Sequence, residues 1–189
     1  MKEDKAIPEF KSVQEMAEFW DTHSVADYWD QLEPDEVERF VRGARNPLVK
    51  AAVLVLYHTG LRAAELCGIR FSDLDLAKRV VRVVGKGRKE RLVPLNDSAV
   101  RAFAWYIERV RPRLDTGYVF VTGSGPLRPG YLGDVVRQEA RRLGFEGISC
   151  HSFRHSFATQ LWRRNVDVLA ISALLGHSSP QTTAIYAHI

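Results

Sequence analysis

A continuous apolar segment, Ala51–Tyr57, is the feature of this chain that most restricts its fold. It lies inside the sequence NPLVKAAVLVLYHTG, where Gly60 provides the stop signal of a helix. The segment is the longest apolar run of the chain, yet it falls well short of the ~18–20 residues that a membrane span needs. We therefore predict a buried helix in a protein that has no membrane partner. The 46% hydrophobic content is enough to build a core around that helix.

The segments around this helix predict a mostly helical domain. Helical patterns occur in PDEVERFVRGA, LRAAELCGI, NDSAVRAFAWYIERVR (capped by Asn96 or Asp97), PGYLGDVVRQEARRLG, SFRHSFATQLWRRN, VDVLAISALLG and PQTTAIYAHI. Two apolar-rich strands flank the turn Gly85–Arg88 in RVVRVVGKGRKERLVPL, which is typical of a hairpin, and YVFVT is a short apolar strand or core segment. The predicted fold class is mainly α with a small antiparallel β-hairpin, that is, α+β.

The charge distribution divides the chain near residue 32. The first 34 residues hold three Lys/Arg and nine Asp/Glu, whereas the rest hold 24 and 14, a net charge of +10. We predict an acidic, aromatic arm over residues 1–31, with a short helix capped at Ser12, and a body over residues 32–189. The basic body suggests a polyanionic partner such as nucleic acid. Alternatively, the excess charge is an ordinary property of a soluble domain.

The N-terminus and the two cysteines point to the cytoplasm. The opening sequence MKEDKAIPEF is charged and lacks the apolar region of a signal peptide. Cys67 and Cys150 are far apart in the sequence, and they fit core packing in a reducing compartment better than a disulfide.

An arginine directly after the Gly60 turn is the first candidate for binding an anion. Arg62 opens a short helix in HTGLRAAEL, where backbone N–H groups also converge. A guanidinium can hold a phosphate through two parallel hydrogen bonds. Glu65, one helical turn later, could orient Arg62. In the alternative, Arg62 is a surface residue and the two side chains form an exposed pair worth only a few tenths of a kcal/mol.

The predicted hairpin carries a cluster of cations. Lys86 lies between two glycines at the tip, and Arg88, Lys89 and Arg91 follow it. A cationic hairpin tip can enter a groove of nucleic acid, and Arg88, Lys89 and Arg91 are therefore candidates for binding DNA. Solvated charges at an exposed turn are the simpler alternative.

The segment HSFRHSFATQ places His151, Arg154 and His155 on one predicted helix. His151 and His155 have the spacing of a metal pair, but Ser152 stands where a metalloprotease has Glu, and no carboxylate or cysteine is near in the sequence. We therefore predict no metal. His151 and Arg154, one turn apart, could instead face the same anion, with His155 bonded in the core.

The last sixteen residues, LLGHSSPQTTAIYAHI, contain His177 after a glycine and Tyr186 nine residues later. Taken singly, a histidine at a helix break is more often a cap, and a tyrosine near a terminus more often does nothing. Together, the arginines, the lysine and the histidines could neutralise one phosphate while the tyrosine attacks it. Such a substitution at phosphorus needs no metal.

Four segments together, TGLRAAEL, GKGRKERLVPL, HSFRHSFAT and LLGHSSPQTTAIYAHI, resemble the tyrosine recombinase family, which includes phage integrases and Xer-like enzymes. The resemblance covers roughly residues 32–189. It implies the catalytic-domain fold of that family and a cytoplasmic site-specific recombinase or integrase. Such an enzyme acts on double-stranded DNA, self-associates on it and uses no cofactor.

The resemblance also implies which residues hold the phosphate. Arg62 and Arg154 would clamp the non-bridging oxygens of the scissile phosphate. His177 would donate a hydrogen bond to the same phosphate, and Glu65 would support Arg62.

The remaining implied roles concern bond breaking. Tyr186 would attack the phosphorus, form a 3′-phosphotyrosyl bond and release a 5′-hydroxyl. Lys86 would protonate the leaving 5′ oxygen, and His151 would assist proton transfer as the base towards Tyr186. Nearby cations would make ionisation of Tyr186 easier than for a free tyrosine, whose pKa is about 10.

The sequence differs from typical family members at both ends, and this keeps other readings open. Typical members have an N-terminal helical core-binding domain and a tail helix after the tyrosine. Here the acidic arm and residues 187–189 stand in those places. The alternative function is a truncated or regulatory DNA-binding remnant without productive catalysis.

The arm has a resemblance of its own. The sequence IPEFKSVQEMAEFWDTHSVADYWD is similar to the beginning of CopG-like antitoxins from toxin–antitoxin pairs. It predicts either a protein partner bound through the arm or docking of the arm on the body through Phe19, Trp20, Tyr28 and Trp29. A protein-interaction module is therefore the third reading.

Overall fold

The computed structural model describes residues 32–85 and 90–176, in which seven α-helices surround small antiparallel sheets. The helices are α1 (Pro34–Gly43), α2 (Pro47–Thr59), α3 (Ala63–Gly68), α4 (Asp97–Trp105), α5 (Pro129–Arg142), α6 (Cys150–Arg163) and α7 (Val168–Leu175). The strands are β1 (Leu74–Asp75), β2 (Val80–Val84), β3 (Glu90–Pro94), β4 (Val121–Thr122) and β5 (Gly125–Pro126). The predicted arm, the turn residues 86–89 and the predicted helix in PQTTAIYAHI lie outside the described residues.

Helix α2 is the buried helix that the apolar run predicts. The Asn46 side chain caps its first turn by accepting a hydrogen bond from the Leu48 N–H at 3.0 Å, and Pro47 occupies the first helical position. Its buried residues occur on every side: Val49, Ala51, Ala52, Val53, Val55, Leu56 and Tyr57. Since α2 packs against both α4 and α6, it fixes the position of the helix that carries His151 and Arg154.

An aromatic cluster holds α6 against α1. The Phe40 ring of α1 lies 5.2 Å from the Phe153 ring of α6, edge to face, and 5.8 Å from the Phe145 ring. All three side chains are buried. Aromatic pairs at these distances add to the burial of apolar area, so α6 has a firmly packed inner face.

The predicted hairpin is confirmed, and the sheet has one more strand than the sequence predicts. Strands β2 and β3 pair antiparallel, with Val83 opposite Arg91 and Val81 opposite Val93. The two-residue strand β1 pairs antiparallel with the other edge of β2. The segment YVFVT contributes β4, which pairs with β5 in a second small sheet. The fold is thus mainly α with small antiparallel sheets, as predicted.

Helix α4 follows the prediction with one local departure. Asn96, one of the two predicted caps, accepts a hydrogen bond from the Ala99 N–H at 2.8 Å. The helix continues as a π-helical turn over Tyr106–Val110. There the buried Tyr106 hydroxyl donates to the Val121 carbonyl at 3.0 Å, which joins this turn to β4.

The cysteines behave as core residues in the structure. Cys67 and Cys150 are both buried and unbridged. Burial raises the pKa of the Cys67 thiol to about 12 and that of the Cys150 thiol to about 11, so both stay protonated at neutral pH. Within residues 32–85 and 90–176, no helix is both long enough and apolar enough to cross a membrane.

Gly60 gives the fold a direct test. Its φ of 66° lies in the left-handed region, and a Cβ there would come within 2.4 Å of the Phe157 ring and 2.7 Å of the Leu175 side chain. We expect Gly60→Ala to lower the free energy of unfolding by about 2–3 kcal/mol, from backbone strain and overpacking. Gly68→Ala is the matched control, because a Cβ there meets no atom within 4 Å. Urea denaturation that gave both variants the same stability would contradict this expectation.

Candidate active site

The turn at Gly60 places Arg62 at the start of α3, and Glu65 lies one turn further along that helix. The Arg62 N–H donates to Glu65 Oε2 at 2.8 Å, and Arg62 Nη1 donates to Glu65 Oε1 at 3.0 Å. The Arg62 side chain is 36% exposed, whereas that of Glu65 is only 3% exposed. The pair is therefore not the exposed surface pair of the alternative reading. It is a half-open guanidinium held by a buried carboxylate.

Glu65 lies at the centre of three arginines. Arg91 Nη1 donates to Glu65 Oε1 at 2.7 Å and Arg91 Nη2 to Glu65 Oε2 at 3.0 Å, a two-pronged contact. Arg154 Nη1 lies 4.0 Å from Glu65 Oε2. Burial raises the pKa of Glu65, but hydrogen bonds from Arg91 and the Arg62 N–H, with the arginine charges, outweigh it and hold the pKa below its ordinary value. The carboxylate is thus ionised at neutral pH.

The end of α7 packs against the same arginines. Arg91 Nε donates to the Leu174 carbonyl at 3.0 Å, and Arg154 Nη2 donates to the Leu175 carbonyl at 2.8 Å. Arg62 Nη2 donates to the Gly176 carbonyl at 3.2 Å. The C-terminal carbonyls of a helix carry partial negative charge and lack partners within the helix, so cations stabilise them.

Arg154 ties the end of α2 to the end of α7. Its guanidinium also donates to the Gly60 carbonyl, and its side chain is only 3% exposed. The same arginine therefore contacts the turn that precedes Arg62 and the helix end that precedes residue 177.

His151 lies on the first turn of α6, one turn before Arg154. The helix is capped by Ser149, whose hydroxyl accepts a hydrogen bond from the His151 N–H at 3.2 Å. The His151 residue is exposed, and its ring contacts the His155 ring edge to face at 4.1 Å. Partial desolvation, with the charges of Arg154 and Arg62, lowers the pKa of His151. Its neutral form therefore predominates at neutral pH.

The structure brings together part of the predicted site. Arg62, Glu65 and Arg154 meet at the junction of α3, α6 and the end of α7. His151 lies one turn before Arg154 on α6, near enough for the charges of Arg154 and Arg62 to lower its pKa. The other predicted residues, Lys86, Arg88, Lys89, His177 and Tyr186, lie outside the described residues. Among those described, no group of three or more His, Cys, Asp or Glu is arranged to hold a metal ion.

The structure places the side chain of Arg91 inside the protein, whereas the sequence predicts that it binds DNA. Its side chain is 14% exposed, and all three guanidinium nitrogens donate inward, to Glu65 and Leu174. The sequence did contain the signal for this orientation. Side chains alternate along a strand, so Arg91 shares a face with the buried Val93, whereas Leu92, on the other face, is 66% exposed.

Comparison with protein families gives a match over the whole body of the chain. A model of the phage integrase family matches residues 30–189. The tyrosine recombinase XerC of Corynebacterium glutamicum is 42% identical over 141 residues, which are 74% of this chain and 46% of XerC. A tyrosine recombinase of Thermosipho africanus is 36% identical over 166 residues, 85% of this chain and 57% of that protein. The chain thus spans about half the length of these curated relatives.

Solved structures agree in fold. The crystal structure of XerA recombinase superposes with a TM-score of 0.75 at 33% identity, covering 84% of this chain and 60% of XerA. The XerH site-specific recombinase, bound to its difH substrate in a pre-cleavage complex, gives a TM-score of 0.70 at 26% identity, with 85% of this chain and 50% of XerH covered. The family match over residues 30–189 and the similarity to these recombinases in sequence and fold show that the chain belongs to the phage integrase family of tyrosine recombinases.

Proposed function

We propose that this chain is a site-specific DNA recombinase that cleaves and rejoins double-stranded DNA through a 3′-phosphotyrosyl intermediate. The observation that carries the proposal is the cluster of Arg62, Arg91 and Arg154 around the single buried carboxylate of Glu65. Three guanidinium groups against one carboxylate leave a net charge of +2 in a partly desolvated place. A phosphodiester carries one negative charge, and charge builds up on it during nucleophilic attack.

Fixed positive charge of this kind supports catalysis rather than binding alone. Donors that are already oriented need not reorganise when charge develops on the phosphate, and removing one such donor commonly costs about 10²–10³-fold in rate. The part of Arg62 that is exposed to solvent is the accessible edge of the cluster. Arg154, beneath it, is held by the carbonyls of Gly60 and Leu175.

The proposed reaction balances without a cofactor. The Tyr186 hydroxyl loses its proton to His151 and attacks the phosphorus, so that a new P–O bond to the tyrosine forms. The P–O bond to the 5′ oxygen breaks, and Lys86 donates the proton that this oxygen takes. The phosphotyrosyl bond conserves the energy of the broken bond, so a second 5′-hydroxyl can attack it and restore the DNA strand. Arg88 and Lys89 bind the DNA backbone in this proposal, and self-association occurs on the DNA.

A DNA-binding protein without cleavage is the second candidate. The observation that favours it is the contact of Arg62 and Arg154 with the carbonyls at the end of α7. Those carbonyls occupy donors that a phosphate also needs, so a chain that cannot release them would bind DNA without cutting it. We also propose a cytoplasmic location and a protein partner for the arm. The contacts of Arg62 and Arg154 do not bear on either proposal.

A covalent trapping experiment separates the two candidates. Nicked duplexes made from the DNA that flanks the gene are incubated with the wild type and with Tyr186→Phe, and a denaturing gel is examined for a DNA-shifted protein band. We expect the band with the wild type alone, because only the tyrosine hydroxyl can form the ester. Filter binding on the same samples should show similar affinity for both proteins. Binding by the wild type without a covalent band would favour the second candidate.

The lowered pKa of His151 predicts the pH dependence of cleavage. A base must be neutral, and the neutral form predominates above the pKa. The adduct rate should therefore rise with pH, and the midpoint of this rise should lie below 6.5, the usual pKa of His. We expect His151→Gln to slow adduct formation about 100-fold at pH 7 and to abolish this acid limb.

The matched control is His58→Gln. His58 also has a pKa lowered by burial, but it lies beside Asn96 at the start of α4. This variant should keep both the rate and the acid limb. An unchanged acid limb in His151→Gln would remove His151 from the role of base.

A further inference from the structure

The two-pronged contact of Arg91 with Glu65 suggests a role other than the DNA binding that its place in the basic hairpin predicts. Its side chain extends from β3 towards α3 and the end of α7, and each of its guanidinium nitrogens has an acceptor. Two acceptors are the carboxylate oxygens of Glu65, and the third is the Leu174 carbonyl. A residue held in this way cannot reach a phosphate without breaking several hydrogen bonds.

Arg91 and Arg62 share the carboxylate of Glu65. Both carboxylate oxygens accept from Arg91, so the side chain of Arg62 needs to give only one donor, at 3.0 Å, to complete the group. Without Arg91, the buried carboxylate would have two charge-assisted hydrogen bonds fewer. A buried charge that lacks partners draws in the cations nearest to it. Those cations are Arg62 and Arg154, the two residues proposed to clamp the phosphate.

Arg91 also holds the end of α7 against the hairpin. Besides the hydrogen bond to the Leu174 carbonyl, its guanidinium lies so close to Gly176 that a Cβ there would come within 2.7 Å of Nη1. Gly176 has a φ of 64°, in the region that glycine adopts at helix ends. The Arg91 guanidinium and the backbone of Gly176 are therefore in close contact, with no room for a side chain at position 176.

We propose that Arg91 is a positioning residue of the DNA-cleavage site, which acts through Glu65 and the end of α7 and does not touch the DNA. The inference rests on the proposed function for its catalytic part, whereas the anchoring of α7 is independent of any activity. Lysine cannot replace Arg91, because one ammonium group cannot provide both the planar pair of donors for Glu65 and a third donor for Leu174.

The test compares Arg91→Lys with Arg163→Lys in the full chain. Arg163 also makes a two-pronged contact with a carboxylate, that of Glu33, at 2.6 and 2.8 Å, but this pair is half-exposed at the surface. At saturating DNA, we expect Arg91→Lys to slow adduct formation about 10- to 100-fold with little change in DNA affinity, as for loss of an oriented donor. Arg163→Lys should keep the wild-type rate.

A double-mutant cycle distinguishes positioning from an independent effect. If Arg91 acts by keeping Arg62 available, its replacement should cost less than about threefold in a protein that already carries Arg62→Lys, because coupled residues are not additive. The catalytic part of the proposal would be overturned if the rate losses of Arg91→Lys and Arg62→Lys multiplied fully in the double variant. A wild-type rate for Arg91→Lys alone would overturn it as well.

Hydrogen exchange tests the anchoring of α7 without DNA. We expect Arg91→Lys to speed exchange of the amides in residues 171–176 about tenfold relative to the wild type, with no such change in Arg163→Lys. Equal exchange in all three proteins would overturn the anchoring role. If the wild type forms no adduct but Arg91→Lys exchanges faster than the wild type, the proposed function is refuted and the structural role of Arg91 is supported.

Discussion

The site depends on one buried carboxylate. Arg62, Arg91 and Arg154 all lie within 4.0 Å of Glu65, and three guanidinium groups this close would repel one another strongly in a partly desolvated place. Glu65 makes their approach possible, while its own desolvation is offset by the hydrogen bonds that it accepts from Arg62 and Arg91. The group is therefore interdependent. Loss of Glu65 would leave the charges of Arg91 and Arg154 largely buried without their carboxylate.

Backbone carbonyls and two glycines complete this arrangement. The last carbonyls of α7 satisfy donors of all three arginines, and they can do so only because the backbone comes very near. Gly60 leaves room for the side chains of Phe157 and Leu175, and Gly176 leaves room for the guanidinium of Arg91. A substitution at either glycine would thus act on the charged cluster by moving α7, although neither residue has a functional group.

Much of the fold follows from local sequence patterns, and the departures share a physical cause. Helix α2, the β2–β3 hairpin and the Asn96 cap were predictable because apolar runs, turn residues and caps act over a few neighbouring positions. Strands β1 and β5 have two residues each, and they exist only because a partner strand lies beside them, so no periodicity in the sequence predicts them. In the site, the motifs identify Arg62, Glu65, His151 and Arg154 as candidates. The surroundings of Glu65, however, depend on β3 and α6, which carry Arg91 and Arg154 and are distant in sequence.

The three arginines illustrate why residue type alone does not determine a role. Their side chains are 36%, 14% and 3% exposed for Arg62, Arg91 and Arg154, so the same guanidinium meets solvent, a carboxylate or backbone carbonyls. Exposure also governs their response to salt. The net charge of +10 outside the first 34 residues lies partly on exposed side chains, whose attraction to DNA weakens as salt rises. The buried cluster is screened much less. In the proposed function, affinity for DNA and stabilisation of charge on a single phosphate are therefore physically separable, although arginines contribute to both.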